Sequence, residues 1–410
     1  MKISALPAAP SAGAGDMVPG TQGFTGEGTG TTRALTVSQI RAGGQRDARE
    51  FGAIGDGTHD DTAALRAAFN CGVPLRIPAG SYRVTSPIAT AVNQIILAEA
   101  VNAYEDPGTV PASVPVTQIV ADNTNSGFAA GSAVLTLADR ATISGFGIQS
   151  AAGVDALAAP GRFVTLHQIY TRYGRYGANL SGIGPRITAS RFCEASSHGL
   201  VSFSSCTDGA FLNSNFSGNA GVGAQFLDAI KHVIIGCTFE WNTLHGVEFF
   251  QSRTCTLTGC SMDRNSQAGV HVSSSSHISV LGNTFSRNGV AGAFPGHVWI
   301  EATCSNFLFA GNNYIAVAEN DDGSGAVVPS FTYGLAAPVL SNGCFAEFPA
   351  AGNSGVFADL TTQSELTPMF VMSPASIPGR YADDAAAAAN GVPVGSPYQD
   401  TAGIFRARVS

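Results

Sequence analysis

One interval constrains this chain more than any other feature. Phe216, Phe239, Met262 and Phe285 stand 23 residues apart. Three positions after each comes an asparagine (Asn219, Asn242, Asn265, Asn288), and seven positions after the first three comes a glycine (Gly223, Gly246, Gly269). The series runs upward to Phe192 with Gly199 and to Tyr170 with Gly177, at intervals of 24 and 22. It resumes at Tyr314 after an inserted AGAFPGH. A fixed period of this length marks an array of stacked units, none of which buries a core alone.

The unit is too rich in Gly, Ser and Asn for helices, and it lacks a leucine ladder. Apolar residues alternate in Val247/Phe249, Val270/Val272, Val233/Ile235 and Ile278/Val280, which reads as short strands bounded by turns. The expected fold is all-β: a parallel β-helix with coils of about 23 residues, stacked about 4.8 Å apart. Equivalent positions then form ladders. The anchors become an interior stack. The asparagines bond along the column and tolerate a left-handed turn, and the glycines permit a tight corner.

Composition agrees with a strand-rich solenoid: 12% charged residues, 44% hydrophobic, 49 glycines. A net charge of −8 argues against nucleic-acid or anionic-membrane partners. No apolar run is long enough for a membrane span, and Pro7 and Pro10 interrupt the only N-terminal apolar stretch, so no signal peptide is expected. The eight cysteines lack metal-site spacing. Cys237 and Cys260 share one repeat position and read as core stackers rather than a disulfide. No metal or cofactor is expected.

Residues 46–90 contain DAREFGAIGDGTHDDTAALRAAFN and PLRIPAGSYRV. Asp60 or Asp61 can cap a helix whose apolar face is Ala64, Leu65, Ala68 and Phe69, followed by strand, turn and strand. The blocks Phe51-Gly52-Ala53, Gly55-Asp56-Gly57, Asp60-Asp61-Thr62 and Ile77-Pro78-Ala79-Gly80-Ser81-Tyr82 resemble the leading module of pectate-lyase-superfamily right-handed β-helices. In that reading Asp56, Asp60 and Asp61 brace the first coil. Residues 1–45, with ISALPAA, GDMVPGTQG and TTRALTVSQI, resemble the N-terminal attachment segment of spike proteins from tailed phages and phage-like particles. Residues 383–410, DDAAAAANGVPVGSPYQDTAGIFRARVS, resemble the C-terminal tag of the same virion proteins. Between them, 91–315 reads as β-helix, and 316–382 as its end or a trimer-closing β-module.

Three outward columns carry polar chemistry. One position after the anchor come Ser217, Glu240, Asp263 and Ser286; two after it, Arg172, Glu194, Trp241, Arg264 and Arg287; nine after it, Asn179, Gln225, Glu248 and His271. Glu240 and Asp263 fall on adjacent coils about 5 Å apart, the separation of a retaining glycosidase pair. The plainer reading pairs both with Arg264 and Arg287. Glu248 beside His271 is a second acid/base candidate, with no other carboxylate expected on its face. Tyr170, Arg172, Tyr173, Arg175 and Tyr176 crowd one stretch. Tyrosine rings stack on sugars and arginines clamp carboxylates, so with Trp241 they form a candidate platform for acidic polysaccharide.

The resemblance implies a virion surface spike, homotrimeric, joined to other virion proteins through its N-terminal segment and binding capsular or lipopolysaccharide glycan of the host. The alternatives are a polysaccharide depolymerase (hydrolase or lyase), a secreted bacterial polysaccharide lyase, and a purely structural particle component.

Overall fold

The computed structural model describes residues 44–98, 117–122, 124, 127–289, 296–301 and 304–315. It also describes the short segments 17–21, 32–36, 331–335, 345–346, 357–359, 383–389, 397–399 and 405–407. Most of the expected attachment segment, the module at 316–382 and the C-terminal tag lies outside them. Within the terminal regions, Met17–Thr21 pairs antiparallel with Thr32–Thr36, and Pro397–Gln399 with Phe405–Ala407.

The coils form a parallel β-helix with three sheets of eleven, twelve and eleven strands. The sheet holding the anchors includes Asn215–Ser217, Thr238–Glu240, Ser261–Asp263 and Thr284–Ser286. A flank sheet follows it along the chain, with Ala224–Leu227, Val247–Phe250, Val270–Ser273 and Gly296–Ile300. The third sheet has twelve strands, including Val233–Ile235, Thr256–Thr258 and Ser279–Leu281. Phe331–Leu335 and Phe357–Asp359 continue the flank sheet and Phe345–Ala346 the third, so strands of the helix extend past residue 315.

Phe192, Phe216, Phe239, Met262, Phe285 and Tyr314 are all interior. Phe216 and Phe239 stack with centroids 4.9 Å apart and planes 6° from parallel, and Phe285 stacks on Tyr314 across the insertion at 5.0 Å. Each such ring removes enough apolar surface from water to contribute about 2–3 kcal/mol. Cys237 and Cys260 lie one coil apart as free thiols in the same core.

The asparagines form a continuous buried ladder. Nδ2 of Asn219 donates to Asn242 Oδ1 at 2.9 Å, Asn242 to Asn265 at 2.9 Å, and Asn265 to Asn288 at 2.8 Å. The left-handed residue is not the asparagine but the one before it: Gly218, Trp241, Arg264 and Arg287 have φ of 65°, 58°, 51° and 49°. That turn rotates the next side chain inward, where its amide satisfies backbone groups that would otherwise be buried unpaired. The glycine ladder follows from this. A Cβ on Gly223 would lie 2.6 Å from Gly246 O and 2.8 Å from Asn242 Nδ2, so close approach, rather than a special φ, demands glycine.

Two sequence expectations shift by one residue. Phe192 pairs with Thr171, and Tyr170 with Arg191, so the anchor position of that coil belongs to Thr171. Among Val233, Ile234 and Ile235, the middle residue faces the core and its neighbours are exposed. Three consecutive apolar residues cannot declare their own phase.

In the leading module, Leu65, Ala68 and Phe69 of the helix face are buried, and Ala64 packs partly against them. The helix spans Thr62–Ala68. Asp61 makes no side-chain cap; its carboxylate instead accepts from Ile54 N at 2.7 Å and Gly55 N at 3.1 Å, tying down the preceding turn. Asp60 accepts from Thr62 N at 3.0 Å, and Asp56 from Thr58 N and His59 N at 2.8 and 2.9 Å. All three acids brace backbone.

Candidate functional site

Polar chemistry collects at the corner between the anchor sheet and the flank sheet. At the corner itself, Trp241 is held by its left-handed backbone and stays 46% exposed. The Arg264 guanidinium lies 4.8 Å from its ring centroid. Tyr173, also left-handed, is exposed on the same edge at the position that pairs with Glu194's coil. Between Glu194 and Trp241 this column carries Gly218, whose missing side chain leaves a dip one coil high.

Glu240 and Asp263 are direct register partners on neighbouring strands. Asp263 is held by Arg287, whose Nε donates to Oδ1 at 2.8 Å and whose Nη2 donates to Oδ2, and by Arg264 Nη1 at 3.5 Å. Glu240 accepts from Asn215 Nδ2 at 2.8 Å instead. Arg264 and Arg287 are themselves buried, so they brace the corner rather than present free forks.

The Tyr/Arg stretch splits. Tyr170 points into the wall, 5% exposed, and its hydroxyl meets Cys193 Sγ at 3.2 Å. Burial, then the neighbouring Cys193, pushes its phenol well above the usual range. Arg172 pairs with Glu194 at 2.8 Å and Arg175 clamps Asp155 at 2.8 and 2.9 Å. Arg175 also covers the Tyr176 ring at 4.3 Å, and Tyr176 stacks on His198 at 5.6 Å.

The densest cluster lies on the outward face of the flank sheet. Glu248 and His271 are register partners, and Glu248 Oε1 lies 2.8 Å from His271 Nδ1. Gln225 Nε2 donates to Glu248 Oε2 at 2.5 Å. On the far side, His271 Nε2 lies 3.1 Å from Glu301 Oε1, and Ser273 Oγ donates to the other Glu301 oxygen at 2.5 Å. Trp299, the next register partner of His271, stacks on its imidazole at 4.3 Å. His245 packs under both rings, 4.5 Å from His271 and 5.8 Å from Trp299.

These contacts set the charges. Burial pushes the Glu248 carboxyl up, but hydrogen bonds from His271 and Gln225 outweigh it and hold the group below its ordinary value. Burial, reinforced by the nearby His271, pushes His245 down to about 3. At neutral pH the cluster therefore combines an ionised carboxylate with an uncharged imidazole. His271, touching a carboxylate through each ring nitrogen, is placed to pass a proton between them.

Glu301 overturns the expectation that Glu248 has no carboxylate companion. It was missed, with Trp299, because the insertion breaks the 23-residue count just before their strand. The alternating His297-Val298-Trp299-Ile300-Glu301 was the available signal. His245 was missed because its column neighbours are Val222 and Ala268, so no ladder marked it.

Residues 175–328 match the family described as a right handed beta helix region, and these coils are right-handed β-helix. No curated protein sequence matches the chain. Among solved structures, the enzymatically active domain of tailspike protein 2 from bacteriophage CBA120 is similar, with a TM-score of 0.60 and 16% identity. That similarity covers 77% of this chain and 48% of that one, so the chain spans about half of its length. The gp42 tailspike of Acinetobacter phage vb_AbaP_AS12 is similar over 92% of this chain and 79% of its own, with a TM-score of 0.53 and 11% identity. The A-module of the Azotobacter vinelandii mannuronan C-5 epimerase AlgE4 is similar over 77% and 96%, with a TM-score of 0.52 and 16% identity.

Proposed function

We propose that this right-handed β-helix is a surface spike of a tailed phage or phage-like particle, and that it binds a surface polysaccharide of the host along the corner carrying Trp241. The observation that carries the reading is Trp241 itself. A large indole is kept exposed on a rigid, left-handed backbone, with its own arginine across it. An exposed aromatic fixed on a ladder whose spacing matches the length of a sugar unit is a stacking platform for a linear glycan. The tailspikes among the similar structures support the virion assignment.

The spike is a homotrimer in this reading. The outward face of the third sheet supports it: Val233 and Ile235 are exposed there, followed by Thr256 and Thr258, Ser279 and Leu281, and Leu308 and Ala310. Four consecutive coils thus present uncharged side chains suited to copies of the same chain.

Affinity for isolated capsule or lipopolysaccharide fragments tests the assignment. Trp241→Ala loses a stacking contact of about 1 kcal/mol or more, which weakens binding about five- to tenfold. Unchanged affinity in a folded variant refutes this corner as the site.

A second reading, depolymerase activity, is favoured by one specific observation: the imidazole of His271 held between Glu248 and Glu301. Here Glu248 and Glu301 take the carboxylate roles and His271 relays the proton. Shortened chains after prolonged digestion, lost in Glu248→Gln, distinguish a cleaving spike from a binding one.

A further inference from the structure

The geometry points to a divalent-metal site on the flank sheet, formed by His245, Glu248 and His271, that takes a borderline first-row cation such as Zn2+. One potential ligand atom from each residue lies within 4.8 Å of the other two. Two imidazoles and one carboxylate form a donor set suited to Zn2+ and its neighbours rather than to Mg2+ or Ca2+, which prefer all-oxygen shells. Around Zn2+, with bonds of about 2.0–2.1 Å, donors stand about 3.3–3.5 Å apart.

Two independent features single this cluster out from an ordinary buried polar network. His245 is 5% exposed, yet its Nδ1 has no hydrogen-bond partner. A buried ring nitrogen left unpaired is costly, and a cation would satisfy it. In addition, the outer partners that orient metal ligands are already in place. If His271 coordinates through Nδ1, its Nε2 donates to Glu301 at 3.1 Å, the carboxylate–histidine–metal arrangement. Gln225 fixes the second oxygen of Glu248, and Ser273 fixes Glu301. The stacked Trp299 ring shields one side.

The sequence carries the set as His-x-x-Glu followed by a histidine 23 residues after the glutamate, one full coil later. No short motif holds all three, because stacking rather than local chain folding brings them together. The site is independent of the glycan corner at Trp241, and neither proposal requires the other.

The test uses the full, untagged chain, stripped with EDTA and titrated with Co2+ by absorption and with Zn2+ by calorimetry. The expected result is saturable binding of a single equivalent, with Co2+ ligand-field bands and no thiolate charge-transfer band, and displacement of Co2+ by Zn2+. His245→Ala should abolish the bands, and Glu248→Gln, which retains volume and polarity, provides the same readout if the alanine variant does not fold. Glu301→Gln, acting through His271, should keep the bands and weaken affinity about 10- to 100-fold. Absence of saturable binding overturns the site, as does binding that survives both ligand substitutions or that shows thiolate bands.

Discussion

Glu301 Oε1 meets His271 Nε2 at 3.1 Å although the two residues are 30 apart and out of the 23-residue phase. The insertion before strand Gly296–Ile300 lengthens one coil without disturbing the stack. It thereby delivers a tryptophan and a glutamate to a face that otherwise carried Gln225, Glu248 and His271. A regular column thus gains its second carboxylate and its indole from an irregularity in the repeat.

The asparagine ladder should be a main source of stability. Asn265→Ala removes bonds to Asn242, Asn288 and Phe239 O together and leaves buried groups unpaired. We expect a loss of about 2–4 kcal/mol, read as a lower denaturation midpoint with an unchanged slope. A midpoint equal to the parent's would show that the column carries no energetic weight.

Acid should weaken the fold before the carboxylates titrate. Burial pushes both His232 and His297 down to about 4, from an unfolded value of about 6.5. Between those values the unfolded chain binds more protons, so stability present above pH 6.5 is lost as the pH falls towards 4. Each histidine contributes on the order of 3 kcal/mol to that loss. Denaturation midpoints measured across this range should fall with a slope that His232→Gln reduces; a flat profile refutes the assignment.

The trimer reading predicts that one charge on the third sheet disperses it. Ile235→Glu places a carboxylate on this uncharged strip without touching the core. Light scattering after size exclusion should show a trimer for the parent and a folded monomer for the variant. A monomeric parent, or a variant that remains trimeric, eliminates this face as the interface.

A chain lacking residues 1–45 should retain the β-sheet spectrum and thermal resistance of the full protein while failing to join particles. The core begins with strand Arg46–Asp47, which pairs with Leu75–Ile77. Loss of the β-sheet spectrum in the truncated chain would show that the segment belongs to the solenoid.

The sequence by itself determined the repeat and the interior. A period of 23 with fixed anchors, asparagines and glycines leaves little but a stacked coil, and buried positions recur because each coil rests on an identical one. The columns Ser217–Glu240–Asp263–Ser286 and Gln225–Glu248–His271 followed from the same count. Only the tertiary structure decided phase and exposure. It showed that Thr171 rather than Tyr170 occupies the anchor position, that Ile234 turns inward between two exposed neighbours, and that Arg264 and Arg287 are buried against Asp263. It also decided that Glu301, Trp299 and His245 converge on His271. The physical reason is one of range. A ladder repeats whatever lies one coil away, so it is legible as a period, whereas side chains meeting across a turn or after an insertion share no fixed spacing and are brought together only by the folded backbone.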